Sequence, residues 1–364
     1  MSEQQMSINI GPHHPSTHGV FRMIATVEGE IIQKVEPVLG YLHRGFEKLG
    51  EYKLYKSGLP LTDRMDYLAS IFNNHVYSLA VETLCGIEVP LRAKYIRVLV
   101  CELDRIASHL IGIGAFLQDL GNLTPFVYMF RDREEVYELF EEICGARQFY
   151  SYIRPGGVLL DLTDGFETRV EKFLKKMDNF LKEYDDLLDK NEIFRLRTKH
   201  IGYISGQKAL NFSLSGPNLR ASGIAKDLRK DSPYEIYNKL DFEICVEQTG
   251  DVWARYKVRM NEIKESVKII RQILGNIPNG NYLAQTHQIL TPNPGEVYTC
   301  IESPRGQLGI YMVSDGSEKP YRYKVRSPSF MAIGALNEMV KNEKIADAIA
   351  ILGSIDIVLG EVDR

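Results

Sequence analysis

The stretch from Tyr95 to Gly121, YIRVLVCELDRIASHLIGIGAFLQDLG, is apolar almost all the way round a helical wheel, yet it carries Arg97, Glu102, Asp104, Arg105 and His109. Pro90 is suited to open a helix, and one running from there to about Leu120 with no polar face belongs at the centre of a bundle. Charges at that density do not cross a bilayer. If the protein works at a membrane, other subunits must hold it there.

Other helices can be placed around this one. Thr62 can cap a helix running to Leu84, with Met65, Ala69, Phe72, Val76 and Leu79 on one stripe and Gly86 as its stop. DREEVYELFEEICG ends a third helix at Gly145, and Phe166 to Lys190 and Val252 to Leu274 read as amphipathic bundle helices with solvated faces. Residues 7 to 40 alternate around a turn at Glu28-Gly29-Glu30, which predicts a small antiparallel sheet. A second small sheet is predicted from Gly295 to Val325, broken by PRG and DGSEKP, with one final helix and a tail after it. Gly202 to Asp251, polar and punctuated by glycine, takes no assignable fold. The fold class is therefore α+β, mainly a helical bundle with small antiparallel sheets near both ends. Its parts are an N-terminal β lobe at 1–50, a helical bundle at 51–290, a small β lobe at 291–330, and a C-terminal helix with a buried tail at 331–364.

Composition narrows the function. Of 364 residues, 44% are hydrophobic and 25% charged, the balance of a folded globular protein. A net charge of -4, with basic and acidic residues interspersed, leaves no field to attract a phosphate backbone, so no nucleic-acid partner is expected. The cysteines Cys85, Cys101, Cys144, Cys245 and Cys300 form no C-x-x-C pair and read as reduced core thiols. The opening MSEQQMSINI has no basic start followed by an apolar run, so no secretory signal is expected.

One loop stands out. GPHHPSTHG, residues 11 to 19, joins the first two strands and holds three of the eight histidines. His14 and His18 have the four-residue spacing of helical metal ligands, but Pro15 opposes a regular helix between them. Taken alone, the loop is better read as a tight turn whose histidines bond backbone carbonyls. There is no H-E-x-x-H, Walker A loop or nucleophile elbow, and GIGAFLQ carries only half of a dinucleotide fingerprint. DRMDYLAS puts Arg64, Asp66 and Tyr67 in the first turns of the predicted helix, and FLQDLG puts Asp119 at the end of the next; singly, Tyr67 reads as an amphipathic core residue and Asp119 as a polar stop.

In order along the chain, GPHHPSTHGVFR, PVLGYLHRGFEK, DRMDYLAS, VPLRAKYIRVLVCELDRIASHL, YIRPGGV, SGPNLRASG, ESPRGQLGIYMVSDG and GEVDR resemble the quinone-reactive D subunit of the respiratory complex I family. That subunit is itself a relative of the large subunit of nickel-iron hydrogenases. The likeness runs from about residue 8 to Arg364, and it implies the hydrogenase large-subunit fold.

A nickel-iron centre needs soft thiolates, in two pairs near the chain ends. By the resemblance, those positions fall here on Asp66 and Ala69 and on Val358 and Glu361, with Arg364 replacing a terminal histidine. The resemblance therefore implies no nickel-iron centre, no metal and no tightly bound cofactor. The vacated space is instead a quinone headgroup site facing an iron-sulfur cluster carried by the neighbouring small subunit.

In that reading, His18 and Tyr67 bond the two quinone carbonyls. An imidazole and a phenol can stabilise negative charge on each oxygen as electrons arrive and can supply protons. Asp119 is the carboxylate partner of His18, and its release on proton transfer begins the coupling to proton pumping. Arg44 and Arg64 match arginines near the terminal cluster, where fixed positive charge favours the reduced state. His14 shapes the loop, Asp66 lines the pocket, and Arg305 matches the arginine that lies over the metals in hydrogenases. Some members carry a histidine before YIRPGG that makes the cluster potential pH-dependent; Phe149 stands there and cannot take up a proton.

The resemblance further implies a subunit of a proton-pumping NADH:quinone oxidoreductase, active only within the complex. It would sit peripherally on the cytoplasmic side of a prokaryotic membrane. Its partners would be the small iron-sulfur (B-type) subunit, C-type and I-type peripheral subunits, the membrane H-type subunit and a lipid quinone. A ferredoxin-linked or deazaflavin-linked (F420H2) relative and a non-catalytic scaffold remain alternatives, since electron input lies on other chains.

Overall fold

The computed structural model describes residues 5–13 and 19–364. Three strands open the chain: β1 (Gln5–Ile10), β2 (Arg22–Glu28) and β3 (Ile31–Val38) form an antiparallel sheet in that order. Met23, Ala25 and Val27 alternate inward from β2, as the period of a half-buried strand requires. Gly29, at φ 63°, makes the turn that the sequence predicts.

Helices α1 (Phe46–Tyr52), α2 (Leu59–Thr62), α3 (Ser70–Cys85), α4 (Leu91–Asp119) and α5 (Leu123–Cys144) follow. Pro90 caps α4, and Gly86 and Gly145 end α3 and α5 in the left-handed region that glycine enters freely. The predicted helix from Thr62 to Leu84 is shorter at its start. Residues 63–69 are irregular because their side chains are drawn into other bonds. Asp63 accepts from Asn74 and from the Ser151 amide, and Asp66 accepts from the Leu68 amide two residues on. Arg64, Asp66 and Tyr67 thus lie in a turn ahead of α3, not in its first turns.

A two-residue ribbon, β4 (Ile153–Arg154) with β5 (Gly157–Val158), precedes α6 (Phe166–Tyr184), which relaxes into a π turn over Asp185–Asp189. Helix α7 (Glu192–Leu196) precedes the polar region, which itself resolves into short helices α8 (Gly206–Asn211), α9 (Gly216–Arg220) and α10 (Leu228–Asp231) ahead of the long α11 (Val252–Ile273). Then β6 (Gly295–Ser303), β7 (Gly306–Ser314) and β8 (Arg322–Arg326) form the second antiparallel sheet. The single final helix that the sequence predicts is four short ones, α12 (Pro328–Gly334), α13 (Leu336–Val340), α14 (Ile345–Ser354) and α15 (Leu359–Val362). Asn342 at φ 68° and Asp356 at φ 52° turn the chain between them. The fold class is α+β, as the sequence implies.

The centre of the bundle is α4, packed against α5, α11 and α14. Its charges are buried and paired. Arg97 donates to Glu82 and Glu235, Arg229 reaches Glu102, and His109 bonds Glu262 at 2.8 Å. Glu262 also holds Arg220, which extends to Glu302. Ion pairs this deep resist separation, because a lone buried charge costs far more than a paired one. No helix among the described residues is long and apolar enough to cross a membrane.

Candidate functional site

The site is assembled around Arg305. Strands β6 and β7 pair in register from Gly295↔Ser314 to Ser303↔Gly306, so Pro304 and Arg305 alone form the hairpin tip. Gly306 has φ +128°, and a Cβ there would lie 2.5 Å from Ser215 Oγ, so the tip is tight and aimed inward. From it, Arg305 Nη1 donates to Asp66 Oδ2 at 2.6 Å and to Ser108 Oγ at 3.1 Å, and Nη2 faces Asp356 Oδ1 at 3.4 Å.

The chain's tail closes over this arrangement. Glu361, on α15, accepts from the Ser329 amide at 3.2 Å. Gly360 lies so close to the 63–69 turn that a Cβ would come 2.6 Å from the Met65 carbonyl oxygen. Asp363 then accepts from the amides of Gly40 and Leu42, and its carbonyl bonds His43 Nδ1, which ties down the loop ahead of Arg44. Four carboxylates therefore surround Arg305 within the protein: Asp66, Asp356 and Glu361, and Asp104, which accepts from the Ile71 amide.

Burial dominates their chemistry. It raises the Asp66 carboxyl, although Arg305 opposes the shift, and it raises Asp104 further, with Asp66 adding repulsion. Burial lifts Glu361 to about 7, again helped by Asp66. Arg305 stays firmly charged, because Asp356, Asp66 and Glu361 outweigh its own desolvation.

Tyr67, half-buried, adjoins the cluster. Burial raises its phenol, the Asp66 charge raises it further, and Arg305 and Arg44 act in the opposite sense. Arg44 and Arg64 are exposed at the rim. Arg44 donates to the Arg64 carbonyl at 3.0 Å, and the Arg64 guanidinium stacks 4.9 Å from the Phe149 ring centroid. Phe149 is itself held at φ 58° with a solvent-facing ring.

The structure thus brings together Asp66 and Arg305 by a direct bond, Tyr67 beside them, and Arg44 with Arg64 and Phe149 at the edge. Asp119 ends α4, about 16 Å further along the helix axis than Ser108 at 1.5 Å per residue. His14 and His18 lie outside the described residues. Gly19, the next residue in the chain, sits against Leu359, where a Cβ would be 3.1 Å from Cδ1. Asp104, Ser108 and Asp356 do not emerge from sequence reasoning as site residues, nor does Glu361 as a functional group. The available signal was three acids, Asp356, Glu361 and Asp363, in the mostly apolar tail DIVLGEVDR, and Asp104 and Ser108 one turn apart on a helix with no polar face.

Comparison with known proteins bears on this arrangement. Residues 119–294 and 286–364 match the family described as "Respiratory-chain NADH dehydrogenase, 49 Kd subunit". The chain is 51% identical over 358 residues to the D subunit of the NADH-quinone oxidoreductase of Dehalococcoides mccartyi strain 195, covering 98% of each chain. It is 52% identical over 360 residues to that of Desulforamulus reducens, covering 99% of this chain and 98% of the relative. It is 50% identical over 361 residues to that of Bacillus thuringiensis strain Al Hakam, covering 99% of each.

Proposed function

The chain belongs to the family of the respiratory-chain NADH dehydrogenase 49 Kd subunit, and on that premise we propose that it lines the quinone headgroup site of a proton-pumping NADH:quinone oxidoreductase. The observation that carries this reading is the placement of the Tyr67 phenol. It is half-buried, beside a buried arginine and four buried carboxylates, with cationic Arg44 and Arg64 at the rim.

Quinone reduction requires donors at both carbonyl oxygens and a proton for each. Tyr67 supplies an O–H at one. At the other, His18 donates with Asp119 as its carboxylate partner, and their separation after proton transfer begins the coupling to pumping. The fixed charges of Arg44 and Arg64 favour the reduced state of an iron-sulfur cluster carried by the small B-type subunit. Electrons enter from there, and this chain contributes binding and protons.

The C-type, I-type and membrane H-type subunits complete the surroundings, on the cytoplasmic face of the membrane. Supporting an assembled state, Leu123, Val127 and Phe130 make an exposed apolar stripe on one side of α5.

The test is quinone reductase activity of the membrane-bound complex carrying Tyr67→Phe, beside electron transfer to an artificial acceptor that bypasses quinone. Quinone reduction should fall at least tenfold, or its apparent KM rise by that factor, with the bypass and assembly unchanged. Wild-type quinone reduction in this variant would make Tyr67 a packed aromatic and overturn the reading.

A further inference from the structure

In the Arg305 cluster the carboxyl group of Glu361 has one oxygen without a hydrogen-bond partner. Arg305 spends Nη1 on Asp66 and Ser108 and turns Nη2 to Asp356. Arg259 lies 3.9 Å from the far oxygen of Asp356, and Arg133 acts on Asp104. Glu361 has no such cation of its own. One oxygen accepts the Ser329 amide, while Oε1 is buried with no hydrogen-bond partner, in a residue with no exposed surface. The charged groups facing it are Asp66 on the 63–69 turn and Arg305 on the hairpin tip, and that guanidinium is already shared with Asp66 and Asp356. An ionised carboxylate with an unpaired oxygen in such a place is costly, and its neutral acid much less so.

Glu361 is also next to the reacting residues. Its neighbour Gly360 abuts the Met65 carbonyl, one residue from Asp66 and two from Tyr67. We propose that Glu361 is a proton-holding residue of this site, a neutral carboxylic acid that reprotonates Tyr67 by way of Asp66 after Tyr67 has given its proton to reduced quinone. This rests on the assignment of Tyr67 as a quinone donor. The balance is simple. Quinone takes two electrons from the partner's cluster and two protons; the Tyr67 O–H breaks to supply one proton, the other coming from His18. Then the Glu361 O–H breaks, the proton passes through the Asp66 carboxyl to the Tyr67 oxygen, and Glu361 is left as the carboxylate until water restores its proton. Its pKa, held near 7 by burial, lets it give and regain that proton at cytoplasmic pH.

Two readouts test this on the assembled complex. In infrared difference spectra recorded between pH 6 and 8, wild type should show a carboxylic-acid C=O band that Glu361→Gln removes and Glu361→Asp shifts. In steady-state assays, Glu361→Gln should lower kcat for quinone reduction about tenfold with KM unchanged. Transfer to the bypass acceptor should be unaltered, and Glu361→Asp should restore part of the loss together with its pH dependence. A band that persists in Glu361→Gln, or an unchanged kcat and pH profile, overturns the proposal. Failure of the quinone assignment is distinguishable, because Tyr67→Phe would then leave quinone reduction intact while the pH-dependent band still reported on Glu361.

Discussion

Arg305 donates a 2.6 Å hydrogen bond to Asp66 across 239 residues of sequence, and both side chains are buried. A two-residue hairpin tip and an irregular turn ahead of a helix meet at this bond, which holds the floor of the site in place.

Removing Arg305 should leave its carboxylates uncompensated. Arg305→Met is expected to destabilise the subunit by about 3–5 kcal/mol, the cost of breaking a buried pair from one side. Less assembled complex and a lower thermal inactivation temperature would show it. Adding Asp66→Asn should recover part of the loss, since it removes one of the stranded charges; full additivity of the two changes would argue against direct coupling.

Gly360 is required by contact. Gly360→Ala would drive a methyl group to 2.6 Å from the Met65 carbonyl and push the tail off the 63–69 turn. Quinone reductase activity should fall at least severalfold, with bypass activity retained. Gly334→Ala, where a Cβ meets nothing within 4 Å, is the control and should be close to neutral.

Glu235 should set part of the acid sensitivity. Burial opposes its charge, but Arg97 and His75 outweigh burial and depress its carboxyl to about 2. A depressed carboxylate stabilises the fold above its unfolded pKa near 4.5, and that contribution disappears as pH falls from there towards 2. The shift corresponds to about 3 kcal/mol. Glu235→Gln should therefore be less stable than wild type at pH 7 and should lose stability less steeply between pH 5 and 3. Parallel stability profiles for the two proteins would contradict the assignment.

Phe149 places an apolar ring, which cannot take up a proton, against Arg64 at the edge of the proposed site. On the proposed function, the midpoint potential of the partner subunit's terminal cluster should accordingly vary little with pH. Phe149→His should introduce a slope of up to about 59 mV per pH unit over the range in which the imidazole titrates. Redox titration at several pH values decides it, and a wild-type slope of that size would sink the idea.

Much of this protein could be read from its residues in order. Periodicity and glycine stops placed α4, α6 and α11 and the end of α5 within a few residues, because their apolar stripes and caps are local properties. Alternation placed both sheets, and motif blocks in register pointed to the family that the comparisons show. The absence of thiolates at Asp66, Ala69, Val358 and Glu361 is likewise plain in the residues themselves.

Only the tertiary structure decided how the site is built. Residues 63–69 satisfy a helical pattern, but they leave the helix because Asp63 and Asp66 find partners elsewhere in the chain. Asp356 and Glu361 look like ordinary tail acids until the tail folds under the hairpin and removes them from water. Charge pairing and desolvation depend on distance in space, and no spacing along the chain encodes the meeting of Arg305 with Asp66 or the burial of Glu361 beside them.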